Sequence, residues 1–170
     1  MALLRAVALT LLVVLAVVLQ VAAFGHLSYE GVVPNLALLV VVAAALVRGP
    51  DFAVVLGFAA GLAVDLAPPA DHVAGRWALA LVLVGYLAGR ARHDGNTSAV
   101  SAVLTVAACS FVGTSVFAIS GMVLGDPGLP AADALQVIPV AVLYDVLLTP
   151  FVLPVAMQLF RRTQARQVAY

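Results

Sequence analysis

Long apolar segments with almost no internal charge follow one another along the whole chain, and they constrain its fold more than any other feature. Hydrophobic residues make up 65% of the sequence and charged residues 9%, against roughly 45–50% and about 25% in soluble domains. A soluble protein of 170 residues has too little interior to bury that much apolar surface. A bilayer-spanning helix takes about 20 residues, so six would use most of the chain. The sequence therefore predicts an all-α polytopic membrane bundle of six transmembrane helices in a single integral membrane domain.

The limits of the six spans follow from the apolar runs and from the turn residues between them. Their approximate positions are residues 3–23, 34–47, 52–67, 76–90, 99–124 and 135–160. The first run has a second interpretation, a signal peptide cleaved after Val21-Ala22-Ala23, although it is long for a signal core. The last span is expected to continue through its three prolines, because neighbouring helices and hydroxyls satisfy the freed backbone groups inside a membrane.

Several helix ends carry capping residues. Gly49 fits the C-terminal cap of the second span, and Asp51 fits the N-cap of the third. The turn at residues 94–98 ends in N-cap candidates for the fifth span. Asp133 with Gln136 three residues later resembles a capping box at the start of the sixth.

The distribution of the arginines predicts the orientation, because cytoplasmic loops carry the excess of basic residues. With six crossings and the N-terminus inside, seven of the eight basic residues are cytoplasmic: Arg5, Arg48, Arg90, Arg92, Arg161, Arg162 and Arg166. Only Arg76 falls in an outer loop. Both termini are therefore predicted to be cytoplasmic, and residues 24–33 form the longest outer segment available for contact. The net charge of zero gives no indication of nucleic-acid binding.

Asp65 and Asp145 are the acidic residues predicted to lie inside spans. A charge near the bilayer centre costs about 2.5–3.5 kcal/mol, so such residues usually face the bundle interior or a water-filled cavity. One interpretation is functional: the two residues form a polar pocket or contact a partner's helix. The other is structural: each residue is protonated or hydrogen-bonded to a hydroxyl. The candidate donors are Tyr144, Thr149, Thr114 and Ser115.

Small residues recur at helical spacing on two of the predicted spans. Gly57, Gly61 and Asp65 follow each other at intervals of four, which turn by only about 40° each and therefore share one face. Gly85 and Gly89 repeat the pattern on the fourth span. Such a face lets another backbone approach closely. The neighbour is either another helix of the same bundle or a helix of a partner protein.

No arrangement of residues predicts catalysis, a cofactor or a metal site. His26, His72 and His93 fall in loops without metal-ligand spacing, and Ser120 has no intramembrane histidine to activate it. Cys109 lies in an apolar stretch, as a small buried hydrophobe does. The short outer loops cannot fold alone. The protein is therefore predicted not to be an enzyme, and any chemistry outside the membrane belongs to a partner.

A series of short motifs occurs in order from the second span onwards. An Arg-Gly-Pro turn at residues 48–50 precedes the run Gly-Phe-x-x-Gly-Leu-x-x-Asp-Leu at residues 57–66. Gly-Tyr-Leu-Ala-Gly-Arg at residues 85–90 closes the fourth span. Tyr144-Asp145 followed by Pro150 lies in the last span, ahead of a short basic tail. The chain resembles the MreD family of rod shape-determining membrane proteins in the order of these motifs, in its length and in its predicted orientation.

The resemblance implies a non-enzymatic membrane scaffold or adaptor of the bacterial cell-elongation complex, without a cofactor. Members of the family bind MreC, work with MreB, RodA and a class B penicillin-binding protein, and help control side-wall peptidoglycan synthesis. The resemblance also implies a location in the cytoplasmic membrane and a bundle similar to the substrate-binding subunits of energy-coupling-factor transporters. The alternative function is such a subunit for a vitamin, with the two aspartates near an outer cavity. Candidate residues for helix packing or partner contact are Gly57, Gly61, Asp65, Gly85, Gly89, Tyr144 and Asp145.

Overall fold

The computed structural model describes residues 2–23, 32–68, 72–92, 98–125 and 131–163, with the backbone alone at residues 2–5 and 131–135. This part of the chain contains six α-helices and no β-strand: α1 (Ala2–Ala22), α2 (Leu36–Arg48), α3 (Pro50–Asp65), α4 (Arg76–Arg90), α5 (Ala99–Leu124) and α6 (Ala131–Thr163). The prediction of an all-α chain with six helices is confirmed. Residues 24–31 of the predicted outer contact segment, together with His26, His93 and Arg166, lie outside the described residues.

The helix ends lie within four residues of the predicted span limits, and two of the predicted caps are wrong. Gly49, at φ +88°, joins α2 directly to α3, and Pro50 is the first residue of α3. Proline suits this position because it has no backbone N–H to leave unpaired. Asp51 consequently lies in the first turn rather than at the cap. Likewise, α6 begins before Asp133, so that residue is not an N-cap. The Ser98 cap is confirmed, since its Oγ accepts a hydrogen bond from the Ser101 N–H at 3.1 Å.

Helix α2 lies at the centre of the bundle and contacts each of the other five helices. Every residue from Leu36 to Val47 is buried. The helix contains only leucine, valine and alanine before Arg48, so every face of it can be covered by protein. Its 13 residues extend about 20 Å. The preceding residues Val32, Pro34 and Asn35 are also buried, so the chain enters the interior before the helix starts.

The five helices around α2 expose large apolar side chains. Each of them has at least one such residue that is half or more exposed, for example Leu11, Val55, Leu79, Val100 and Phe151. By length and composition, two helices among the described residues can cross a membrane, over Ala99–Leu124 and Gln136–Thr163. Ala6–Ala22 and Leu36–Arg48 are apolar but shorter. An apolar surface on this scale is unusual for a soluble monomer.

Several helix ends meet at one end of the bundle. The Arg48 guanidinium donates a hydrogen bond to Thr163 Oγ1 at 2.7 Å, so the C-termini of α2 and α6 are adjacent. Gly89 packs on Pro50, which adds the end of α4 and the start of α3. We call this the arginine-rich end; its basic residues are Arg48, Arg90, Arg92, Arg161 and Arg162. The acidic residue that the described chain contributes here is Asp51.

Candidate functional site

The two glycine faces pack against each other in the interface between α3 and α4. A Cβ atom on Gly57 would come closer than 3.0 Å to the backbone of Leu81, and one on Gly61 would do the same at Ala78. Gly57 faces Leu81, and further along α3 Gly61 faces Ala78, which comes before Leu81 in α4. The two helices are therefore antiparallel. The backbones approach so closely that only glycine fits at these positions on α3.

The glycines of α4 make the reciprocal contacts. A Cβ on Gly85 would lie 2.6 Å from the Ala53 carbonyl oxygen, and one on Gly89 would overlap the backbone of Pro50. All four glycines therefore serve packing within the chain. The alternative interpretation, a partner's helix docked on this stripe, would require α4 to be displaced.

Asp65 continues the stripe of α3 and caps the N-terminus of α4. Its buried carboxylate accepts backbone hydrogen bonds from Gly75 at 2.8 Å, and from Trp77 and Ala78 at 3.1 Å each. His72 Nε2 lies 3.4 Å from Oδ1. The first N–H groups of a helix have no partner within it, and the helix dipole favours a negative charge beside them. The donors are thus backbone amides rather than the hydroxyls that the sequence suggested.

Arg76 forms a second buried contact at the same end of α4. Its guanidinium donates hydrogen bonds to the Phe117 carbonyl at 3.2 and 2.7 Å and lies 3.8 Å from the centre of the Phe117 ring. Trp77 stacks on the same ring at 4.4 Å. The guanidinium fills the space next to Gly121, where a Cβ would overlap it. Arg76 was predicted to lie in an outer loop, and no local sequence pattern indicates this contact, because the partners lie about forty positions away.

Asp145 joins α6 to α5 and to the start of α2. Its Oδ1 accepts the Asn35 backbone N–H at 2.7 Å, and its Oδ2 accepts the Ser110 hydroxyl at 2.7 Å. Thr149 donates to the backbone carbonyl of Asp145 rather than to its carboxyl group. Among the described residues, the hydroxyl that donates a hydrogen bond to this carboxyl group is that of Ser110, which was not among the four candidates. Tyr144 lies next to it in sequence and is half-buried.

The N-terminus of α2 lies inside the bundle and is capped there by side chains. Asn35 Oδ1 accepts the Leu38 N–H at 2.9 Å, and Gln20 Oε1 of α1 accepts the Ala37 N–H at 3.4 Å. With the bond from Asn35 N–H to Asp145, three side-chain acceptors bind the N–H groups of Asn35, Ala37 and Leu38 at the helix start. In hydrocarbon no water would replace them. This cap was not predicted, although Asn35 stands directly before an apolar run, a pattern that indicates an N-cap.

Each buried carboxylate thus caps the N-terminus of a different helix, α4 for Asp65 and α2 for Asp145. Such contacts fix helix positions, since a buried acceptor and its donors each cost free energy when left unpaired. Within the described residues no group of three His, Cys, Asp or Glu side chains is placed to hold a metal ion. Cys109 is buried and free. The arrangement joins helices and does not assemble a nucleophile with a base.

Comparison with known families identifies the chain. Searches of curated proteins and of solved structures give no match. The sequence profile of the family described as rod shape-determining protein MreD matches residues 1–162, which include all but the last residue of the six helices. Proteins of this family are membrane proteins that act in rod shape determination. The chain therefore belongs to the MreD family of rod shape-determining proteins.

Proposed function

We propose that this protein is a non-enzymatic, six-span scaffold of the bacterial cell-elongation complex that binds MreC in the cytoplasmic membrane. In this role it helps control side-wall peptidoglycan synthesis and hence rod shape. The observation that carries the proposal, beside the family, is the way the molecule uses its polar groups. Asp65, Asp145 and Arg76 are buried in contacts that join its own helices, while the outer surface is a belt of apolar side chains. The surfaces left for partner proteins are that apolar belt and the short segments at the two ends of the bundle.

The shortness of the central helix α2 is compatible with six crossings. Helices α2, α3 and α4 have 13, 16 and 15 residues, or about 20–24 Å each, less than the roughly 30 Å of hydrocarbon. Helix α2 is covered by protein on every side and needs no full-length apolar segment, because its extended flank is also shielded from lipid. The buried residues Val32, Pro34 and Asn35 are such a flank. We infer that the arginine-rich end is cytoplasmic, because cytoplasmic segments of membrane proteins carry an excess of basic residues.

The proposed contact surface for MreC is one of the apolar faces around α2. The single helix of a bitopic protein would pack there by van der Waals contact, with its soluble part outside the membrane. MreB would meet the cytoplasmic side, and RodA with its class B penicillin-binding protein would join through the complex. The likeness to energy-coupling-factor subunits stays a prediction.

Photo-crosslinking from one exposed residue on each outer helix tests this proposal. A photoreactive amino acid is placed in turn at Leu15, Phe58, Leu83, Leu104 and Phe151, all exposed, and MreC is the co-expressed partner. We expect strong crosslinks from one or two neighbouring helices and none from the others, because a single helix covers one face. Uniform weak crosslinks from all five positions, with no MreC in the purified complex, would rule out the adaptor role.

The vitamin-carrier alternative loses its main motivation in this fold. Asp65 accepts three backbone hydrogen bonds, and Asp145 accepts one backbone and one hydroxyl hydrogen bond. Both carboxylates therefore already have partners within the chain. A stoichiometric small molecule released from the denatured, purified protein and found by mass spectrometry would restore that alternative.

A further inference from the structure

A groove runs between α5 and α6 towards the arginine-rich end of the bundle. Its volume is about 400 Å³, within the range of small-ligand sites. One wall is the beginning of α5, with Ala99, Ala102 and Val103. The other wall is the face of α6 between Thr149 and Arg161. The small alanines leave the space between the two helices open.

The groove is apolar along its length and polar at one end. The Thr149 hydroxyl, at the end of the groove away from the arginine-rich end, already donates to the Asp145 carbonyl at 2.7 Å. Leu153, Pro154 and other apolar residues line the middle of the groove. Gln158 and Arg161 lie where the groove reaches the arginine-rich end, and both are exposed. An apolar length with one cationic end matches an amphiphile that has an apolar chain and an anionic head.

The length of the groove corresponds to one membrane leaflet. The twelve residue steps from Thr149 to Arg161 extend about 18 Å along α6, and half of the hydrocarbon core is about 15 Å. Exposed side chains on the same stretches are apolar, namely Val100 and Leu104 on α5 and Val155 on α6. In the membrane that we propose for this protein, the groove therefore opens sideways to lipid rather than to water.

We propose that this groove binds an anionic phospholipid, with an acyl chain between α5 and α6 and the phosphate against Arg161. This inference rests on the membrane placement in the proposed function, but not on MreC binding. Charge complementarity supports it, because Arg161 belongs to the arginine-rich end, where the described acidic residue is Asp51.

Native mass spectrometry of the full chain in mild detergent tests the head-group contact. The protein is incubated with phosphatidylglycerol or phosphatidylcholine of identical acyl chains, and bound lipid is counted per protein. We expect wild type to prefer phosphatidylglycerol, and Arg161→Gln to reduce that preference about fivefold, as expected for about 1 kcal/mol per basic residue. The matched control is Arg162→Gln, which removes the neighbouring exposed charge outside the groove and should leave the preference unchanged. Equal losses in both variants would overturn the proposal.

A second pair of variants tests the chain site. Ala99→Trp fills the groove and should reduce binding of both lipids, whereas Val100→Trp on the adjacent exposed position should not. Unchanged lipid binding in Ala99→Trp would overturn the proposal. If Ala99→Trp retains bound lipid but loses its crosslinks to MreC, the groove is a protein site and the proposal is overturned as well. If wild type binds lipid as described but never recovers MreC, the scaffold function fails while the lipid site stands.

Discussion

Replacing Asp65 with asparagine tests whether its carboxylate holds the α3–α4 hairpin together. In the protein Oδ2 accepts the N–H groups of Gly75 and Ala78, and Oδ1 accepts that of Trp77. The asparagine amide keeps the shape but has one acceptor oxygen, so its NH₂ group would face one of the donors. The buried N–H that loses its acceptor costs about 1–3 kcal/mol. Loss of the charge at the helix N-terminus adds about 0.3–1 kcal/mol.

The expected destabilisation is therefore about 1–4 kcal/mol, which lowers Tm by roughly 2–16 °C for a chain of this size. The buried Cys109 is the single cysteine of the chain. A thiol-reactive fluorophore therefore follows thermal unfolding in detergent without an engineered label. Asp51→Asn is the matched control, because Asp51 is exposed in the first turn of the same helix and its loss removes only the interaction of a charge with the helix dipole, about 0.3–1 kcal/mol. Equal Tm values for Asp65→Asn and Asp51→Asn would refute the capping role of Asp65.

Three further outcomes are expected. Gly61→Leu should prevent α3 from packing on α4 and lower Tm in the Cys109 assay, whereas Ala59→Leu on the exposed side of α3 should not; equal Tm values would contradict the tight interface. Ser110→Ala should destabilise the protein by about 1–3 kcal/mol through the lost hydrogen bond to Asp145, and wild-type stability would argue against that contact. A reporter fused to the C-terminus should be active in the cytoplasm; periplasmic activity would exclude six crossings with an inner N-terminus.

The helices were predictable because their signals are local. Apolar runs and breaks such as Gly49 and the turn at residues 94–98 indicated six segments, and the described part of the chain has six helices. Ser98 was one of the N-cap candidates at the end of the turn, since a hydroxyl before an apolar run can accept from the amide three residues later. Asp51 was misassigned because a proline at the first helical position moved the helix start upstream. Local chemistry fixed which segments are helical, with errors at their ends.

The hydrogen-bond partners of the aspartates were not predictable. Asp145 is 110 residues from Asn35 and 35 from Ser110, and nothing in either sequence segment identifies the other. A hydroxyl was the natural expectation for a buried carboxyl group in an apolar span. The donors are mainly backbone amides at helix starts instead. Every residue except proline has such an amide, so the sequence does not indicate which of them will bind a carboxyl group. Gln20 was missed for the same reason.

The sequence by itself determined that the chain is helical, that its segments are apolar, and that α3 and α4 carry glycine faces able to pack closely. Only the tertiary structure decided that these faces meet each other, that α2 is the central helix, and that each aspartate caps a helix start. The physical reason is that segments apolar on every side carry little periodicity to distinguish an inward face from one that meets lipid. Close backbone approach at Gly57 and Gly61, and buried polar bonds between distant residues, supply that distinction once the helices assemble.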